Sequence, residues 1–235
     1  MDTTGDVAGA QPRISLLNEK PLHAALKLWY ARPGDRVEVA VDGFLIDIVS
    51  GDLLVEIQTR NFAAVKRKLM RLVERHPVRL VYPIARQKWI VRAAGDGKQP
   101  LSRRRSPKRG IPADIFDELV SFPELLRCRN FSIELLLITE DEVRHHDGRR
   151  GWRRKGWAIT ERRLVKVMDR LLLETPADVA GLVPGTLSEP FTTADLAQAI
   201  GRQRRLAQKM AYCLRAMGCV SPTGKQGNAI LYSRA

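Results

Sequence analysis

The stretch from Phe44 to Thr59 constrains this chain more than any other. It reads as two β-strands joined by a tight turn at Ser50, Gly51 and Asp52, with apolar residues at most positions. Asp47, Glu56 and Gln58 interrupt them. Side chains alternate between the faces of a strand, so Glu56 and Gln58 share one face. A hairpin can bring Asp47, late in the first strand, alongside them. Two carboxylates at the end of an apolar hairpin are costly to bury unless something pairs with them. A divalent cation is a natural partner, because hard cations such as Mg²⁺ take carboxylate and water oxygens.

The flanking segments extend this pattern. Ser15 to Tyr30 predicts a helix, with Leu22, Leu26 and Trp29 at helical spacing and Pro21 in its first turns. Pro33, Gly34 and Asp35 mark a turn. Arg36 to Val41 alternates as a strand, and Asp42-Gly43 is a hairpin signal. Asn61 to Arg75 predicts an amphipathic helix. Phe62, Val65, Leu69, Leu72 and Val73 form its apolar stripe, with Lys66, Arg67, Lys68, Arg71 and Arg75 on the wet face. A strand follows from Val78. The order is α-β-β-β-α-β over roughly Ser15 to Ile84, an α/β class.

This order, with acids on the second and third strands, resembles the core of the PD-(D/E)xK nuclease superfamily, the restriction-endonuclease-like fold. The matching residues are Asp47, eight intervening residues, then Glu56-Ile57-Gln58. Gln58 stands where the family usually carries Lys. The resemblance implies a mixed sheet flanked by helices and a metal-dependent endonuclease that hydrolyses DNA phosphodiesters in repair or defence. It implies Mg²⁺ or Mn²⁺ held by Asp47 and Glu56. Family members often carry a Glu on the first helix, and Glu19 is the matching candidate. Glu19 equally suits the positive end of that helix. Asp47, Glu56, Gln58 and Glu19 are thus the candidate catalytic set, with Arg60 a possible source of the missing charge. Gln58 also keeps open a second class, a catalytically inactive nuclease-like DNA-binding protein or transcriptional regulator. A homodimer is compatible with either.

Charge supports a polyanionic partner. Lys and Arg number 40 against 26 Asp and Glu, a net charge of +14. Lys98 to Arg109 reads as a loop carrying Arg103, Arg104, Arg105, Lys108 and Arg109 with no acid. A second run carries Arg149, Arg150, Trp152, Arg153, Arg154 and Lys155. Arg and Lys bond phosphates, and Trp stacks on bases. Either run alone is an ordinary solubilising loop; two beside the acid-bearing hairpin point to nucleic acid, with duplex or branched DNA the expected partner and single-stranded DNA and RNA left open. Three Cys lack metal-ligand spacing and read as free thiols in a reducing compartment. No apolar run has membrane-span length and no secretory pattern is read. The expected location is cytoplasmic, associated with the nucleoid.

Downstream, Ala113 to Leu126 predicts a helix broken at Pro123, and the apolar run from Phe131 a buried strand beside the Val78 strand. Glu140, Asp141 and Glu142 read as a solvated strand end or a second metal locus; His145, His146 and Asp147 read as a turn or a weak metal cluster. Glu161 to Leu173 predicts a helix closing a first domain, 13–175. Pro and Gly punctuate a linker at 176–190. A second domain, 191–235, opens with Thr192 as N-cap and Asp195 three residues on. Two helices follow, Thr193 to Ile200 and Arg202 to Met217, and then a hairpin with Lys225 and Gln226 at its tip. This order resembles winged-helix DNA-binding domains, whose second helix contacts base edges through its N-terminal residues. Here those residues are Arg202, Gln203, Arg204, Arg205, Gln208 and Lys209, with Lys225 on the wing. A protein partner is the alternative occupant.

Overall fold

Turn chemistry sets the first three strands. β1 (Arg36–Val41) and β2 (Phe44–Ser50) pair antiparallel across Asp42 and Gly43, both at positive φ (48° and 81°), as a two-residue hairpin turn requires. Gly51, at φ 57°, turns β2 into the antiparallel β3 (Leu53–Ile57). The computed structural model describes residues 20–93, 100–146 and 156–235. β4 (Val78–Ala93) runs parallel to β3, and β6 (Phe131–His146) parallel to β4. β5 (Pro100–Arg105) pairs antiparallel with the far half of β4, and β7 (Trp157–Leu173) antiparallel with β6. The result is a seven-stranded mixed sheet, ordered β1-β2-β3-β4-β6-β7 with β5 on β4.

Helices cover both faces. α1 (Pro21–Tyr30) buries Leu22 and Leu26 against Ile48, Val55, Ile57, Val81, Leu136 and Ile138. Trp29, expected in that stripe, is exposed. On the other face, α2 (Lys66–Leu72) buries Leu69 and Leu72. α3 (Phe116–Leu119) lies between 3₁₀ turns at Pro112–Ile115 and Pro123–Arg127, so proline breaks the expected 113–126 helix into pieces. Phe62 stacks on Phe122, with ring centroids 5.4 Å apart.

Two segments not expected as strands are strands. The segment 161–173 is strand, not helix. Its Leu164, Val167 and Leu171 fit helical spacing, but β6 presents an unpaired backbone edge that β7 satisfies from Ile133 to His146. Residues 100–105 are strand rather than loop, with Pro100 at the first strand position, where a missing donor is tolerated.

The C-terminal part holds α4 (Pro176–Ala180), α5 (Thr193–Ile200), α6 (Arg204–Ala216) and a hairpin of β8 (Val220–Gln226) and β9 (Ala229–Arg234). Thr192 and Asp195 bond reciprocally at the start of α5: Thr192 N–H donates to Asp195 Oδ2 (2.8 Å), and Asp195 N–H to Thr192 Oγ1 (3.3 Å). Thr192→Ala is expected to cost about 1 kcal/mol, read from the urea midpoint. The 176–190 stretch, expected as a linker, buries Val179, Val183 and Leu187. These join one apolar cluster that runs from Leu80, Ile133 and Leu135 in the sheet to Phe191, Leu196, Met210 and Leu214. The prolines and glycines punctuate this stretch, but its apolar residues close the core. Among the described residues no helix is long and apolar enough to cross a membrane.

Candidate functional site

Asp47 sits where the sheet ladder is interrupted. β1 pairs with its neighbours Ile46 and Ile48 but skips it, and the β2–β3 register begins at Ile48. The Asp47 side chain takes the vacated position: Oδ2 accepts from the Ile57 N–H (2.8 Å) and lies 3.2 Å from Nε2 of His23 on α1. Burial raises the Asp47 carboxyl. The hydrogen bond and charge of His23, the Ile57 N–H and the Lys68 charge outweigh it and hold the group below the usual carboxylate range.

Glu56 is buried near the end of β3. Burial first, and the charge of Asp47 second, push its carboxyl up to about 7, against the downward pull of Lys68. Lys68, on α2, brings Nζ to 2.5 Å from Glu56 Oε2 and also donates to the Leu45 carbonyl. The sheet thus brings the two expected carboxylates together, and α2 adds an ammonium.

The perturbed Glu56 predicts a pH effect on stability. Its folded-state value of about 7 exceeds the ordinary 4.5. Over that window the folded chain keeps a proton that the unfolded chain releases, so this contribution is full below about 4.5 and lost as pH rises through about 7. In chelator, urea midpoints across this window should fall further for wild type than for Glu56→Gln. The amide oxygen can still accept from Lys68, so the difference isolates the titration. Parallel midpoint profiles would contradict the assignment.

Lys68 was expected on the wet face of its helix, yet its side chain is only 15% exposed. The signal lay in the spacing: Lys68 is three residues after Val65 and four before Leu72, on the stripe itself. Gln58 does the reverse. Its Nε2 donates to the carbonyls of Arg60 (2.7 Å) and Asn61 (3.2 Å), closing the loop in which Asn61 has φ 59°. The Gln58 amide is therefore spent on its own loop rather than on the carboxylates. Glu19 lies outside the described residues.

The expected basic residues divide. Arg150, Trp152, Arg153, Arg154 and Lys155, with Lys98 and Arg149, lie outside the described residues. Arg103 pairs with Asp141 (2.9 Å) and covers the Trp89 ring (4.2 Å), while Arg104 and Arg105 are exposed on β5. Lys108 and Arg109 line an open cleft of about 980 Å³, with Gln203 and Arg205 from the start of α6 on its other wall. Arg202 and Lys209, expected to face outward, turn to the body instead. Arg202 pairs with Asp114 (2.8 Å) and donates to the Arg109 carbonyl (2.6 Å); Lys209 pairs with Asp117 (2.7 Å). Arg204 donates to Thr193 Oγ1 (3.3 Å), and Lys225 is exposed on β8.

Glu140 and Glu142 are not a solvated strand end. Both are buried and paired, Glu140 with Lys88 (3.1 Å) and Arg162 (2.6 Å), Glu142 with Lys88 (3.0 Å) and Arg144 (2.5 Å). Among the described residues, no group of three or more His, Cys, Asp or Glu is assembled to hold a metal. Cys128, Cys213 and Cys219 are free thiols.

The sequence itself has relatives. A Treponema pallidum (strain Nichols) protein, titled "Uncharacterized protein", is 30% identical over 223 residues, covering 94% of this chain and 87% of its own length. No solved structure matches. A family model, "Domain of unknown function (DUF8091)", matches residues 20–174. That span takes in α1, the full seven-stranded sheet, Asp47, Glu56 and Lys68, and stops before α4. With most of its length inside that match, the chain belongs to the DUF8091 family.

Proposed function

We propose that this chain is a divalent-cation-dependent phosphodiesterase acting on nucleic acid, with a restriction-endonuclease-like core and a C-terminal winged-helix unit. The observation that carries the reading is the meeting of Asp47 and Glu56 with the Lys68 ammonium at the end of β3. The α-β-β-β-α-β order and the two carboxylates on adjacent strands support the core assignment. The order α5, α6, then the β8–β9 hairpin supports the winged-helix assignment.

The donor set fits a hard cation. One oxygen of each carboxylate is engaged, Asp47 Oδ2 by His23 and Ile57 and Glu56 Oε2 by Lys68, which leaves Asp47 Oδ1 and Glu56 Oε1 as donors. Two carboxylates suffice for Mg²⁺, which keeps several waters and takes substrate phosphate as a further ligand. The Glu56 carboxyl, raised first by burial and second by the Asp47 charge, is one whose ionised form a bound cation would favour. Asp47 and Glu56 would hold Mg²⁺ or Mn²⁺, which when bound supplies an activated water and offsets charge on the leaving oxygen.

The remaining roles belong to the chain. His23 and the Ile57 N–H fix the Asp47 carboxylate in orientation. The Leu45 carbonyl and Glu56 hold the Lys68 ammonium beside the site, where it offsets charge developing on the phosphoryl oxygens. In this reading Lys68, coming from the helix after the motif, supplies the charge that Gln58 lacks. Calorimetric titration with Mn²⁺ tests it. Wild type should bind with an affinity that Asp47→Asn and Glu56→Gln each lower at least tenfold; unchanged binding in both variants would refute it.

A further inference from the structure

We propose that the cleft between β4, the 107–110 loop and α6 binds a single strand of nucleic acid and leads it to the Asp47–Glu56 carboxylates. The proposal rests on the phosphodiesterase reading and names the form of substrate that site takes.

The cleft opens at a gap in the sheet. On one side, β4 is paired by β3 from Val78 to Val81 and by β5 from Trp89 to Ala93. Between these spans neither strand pairs with it, and Tyr82 to Ala85 and Lys88 line the cleft. Thr59, two residues past the end of β3, lines the cleft, so the lining reaches to within three residues of Glu56, although Asp47, Glu56 and Lys68 themselves lie outside it. Gly110 holds the basic loop down on β4. Its N–H donates to the Ala85 carbonyl (2.9 Å), and a Cβ there would lie 2.6 Å from Ile84 Cγ2 and 2.9 Å from Ala85 O.

The lining selects for phosphate. Arg162 donates to Glu140, a fully buried carboxylate, and Lys88 to Glu142; Arg202 and Lys209 are matched by Asp114 and Asp117. Lys108, Arg109 and Arg205 have no acidic partner among the described residues, and they outnumber the one further acid of the lining, Glu118, whose Oε2 accepts from the Phe62 N–H (3.1 Å). They face the same cleft from two walls. Tyr82, set edge-on to Phe62 at 5.1 Å, adds aromatic surface of the kind on which unpaired bases stack.

Size and anchoring decide between one strand and two. A volume of about 980 Å³ is at the upper end of pockets for small ligands, roughly 300–1,000 Å³, and suits a few nucleotides of one strand. The start of α6 is tied to the body by Arg202–Asp114, Arg202–Arg109 and Lys209–Asp117 bonds. A helix that reads a duplex must instead stand free to enter a major groove about 12 Å wide.

The test is fluorescence anisotropy with the full-length protein in chelator, so that binding is read without cleavage. The probes are labelled oligothymidylate and oligouridylate of about twelve residues, and a DNA duplex of equal length. At least one single strand should bind tenfold or more tighter than the duplex, and comparing the two identifies DNA or RNA as the preferred chemistry. Lys108→Glu with Arg205→Glu should lower that affinity at least tenfold and flatten the salt slope by about 0.7 for each phosphate no longer neutralised. Both residues are exposed, and the milder Lys108→Gln with Arg205→Gln should give a smaller loss in the same direction. Duplex binding as tight as either single strand, or unchanged affinity in both double variants, would overturn the proposal. Strand binding without any cleavage would leave the cleft standing and remove the phosphodiesterase reading; cleavage without single-strand preference would do the opposite.

Discussion

Lys68→Met is expected to slow metal-dependent phosphodiester cleavage by about 10²- to 10³-fold, the usual cost of losing one preorganised group that offsets transition-state charge. Gln58→Ala is expected to change it by less than about threefold, because the Gln58 amide is spent on the Arg60 and Asn61 carbonyls. The contrast is the informative part. In the nuclease motif proposed for this hairpin, the position of Gln58 usually carries the charge; here the charge at Glu56 comes from α2. Lys68→Arg should recover part of the rate by restoring a cation without restoring its point-charge geometry. Single-turnover cleavage of a labelled oligonucleotide measures all three. A Gln58→Ala loss as large as that of Lys68→Met would return the role to Gln58.

Removing residues 191–235 should abolish cooperative folding rather than release an independent N-terminal core. The deletion takes Phe191, Leu196, Leu206, Met210, Leu214 and Tyr232 out of the cluster that contains Leu80, Ile133 and Leu135. Burying one such side chain is worth about 1.5–3 kcal/mol, and a whole domain is stable by only about 5–15 kcal/mol. Ion pairs across the same boundary, Arg202–Asp114 and Lys209–Asp117, go with them. Near-ultraviolet circular dichroism and urea unfolding of the truncated chain measure the effect. A cooperative transition at the full-length midpoint would mean that the two parts fold separately.

How much was legible in the sequence depended on how local the determinant was. Asp42-Gly43 and Gly51 set the first strands through their own backbone preferences, and Thr192 with Asp195 capped α5 as their spacing demands. That the Asp47 charge would act on Glu56 was legible because a short hairpin joins their strands. What failed required knowledge of the partner. The 161–173 segment has helical spacing in isolation and becomes a strand because β6 offers it an edge. Val179, Val183 and Leu187 looked like parts of a linker until the core they cover was in view. Glu140 and Glu142 looked solvated because their partners, Lys88, Arg144 and Arg162, come from three different strands. Lys68 was legible in principle, since it falls on the apolar stripe of its helix, but a lysine there reads by habit as surface.

Cleavage by the full-length protein tests the central claim most directly. Single-stranded and duplex DNA, and single-stranded RNA, are incubated with Mg²⁺ or Mn²⁺ and wild type, Asp47→Asn or Glu56→Gln. The carboxylate account predicts cleavage by wild type that disappears with chelator and falls at least about 10²-fold in each variant, because each loses a charged ligand while keeping its shape. No cleavage of any of these substrates, or cleavage that Asp47→Asn leaves undiminished, would contradict it.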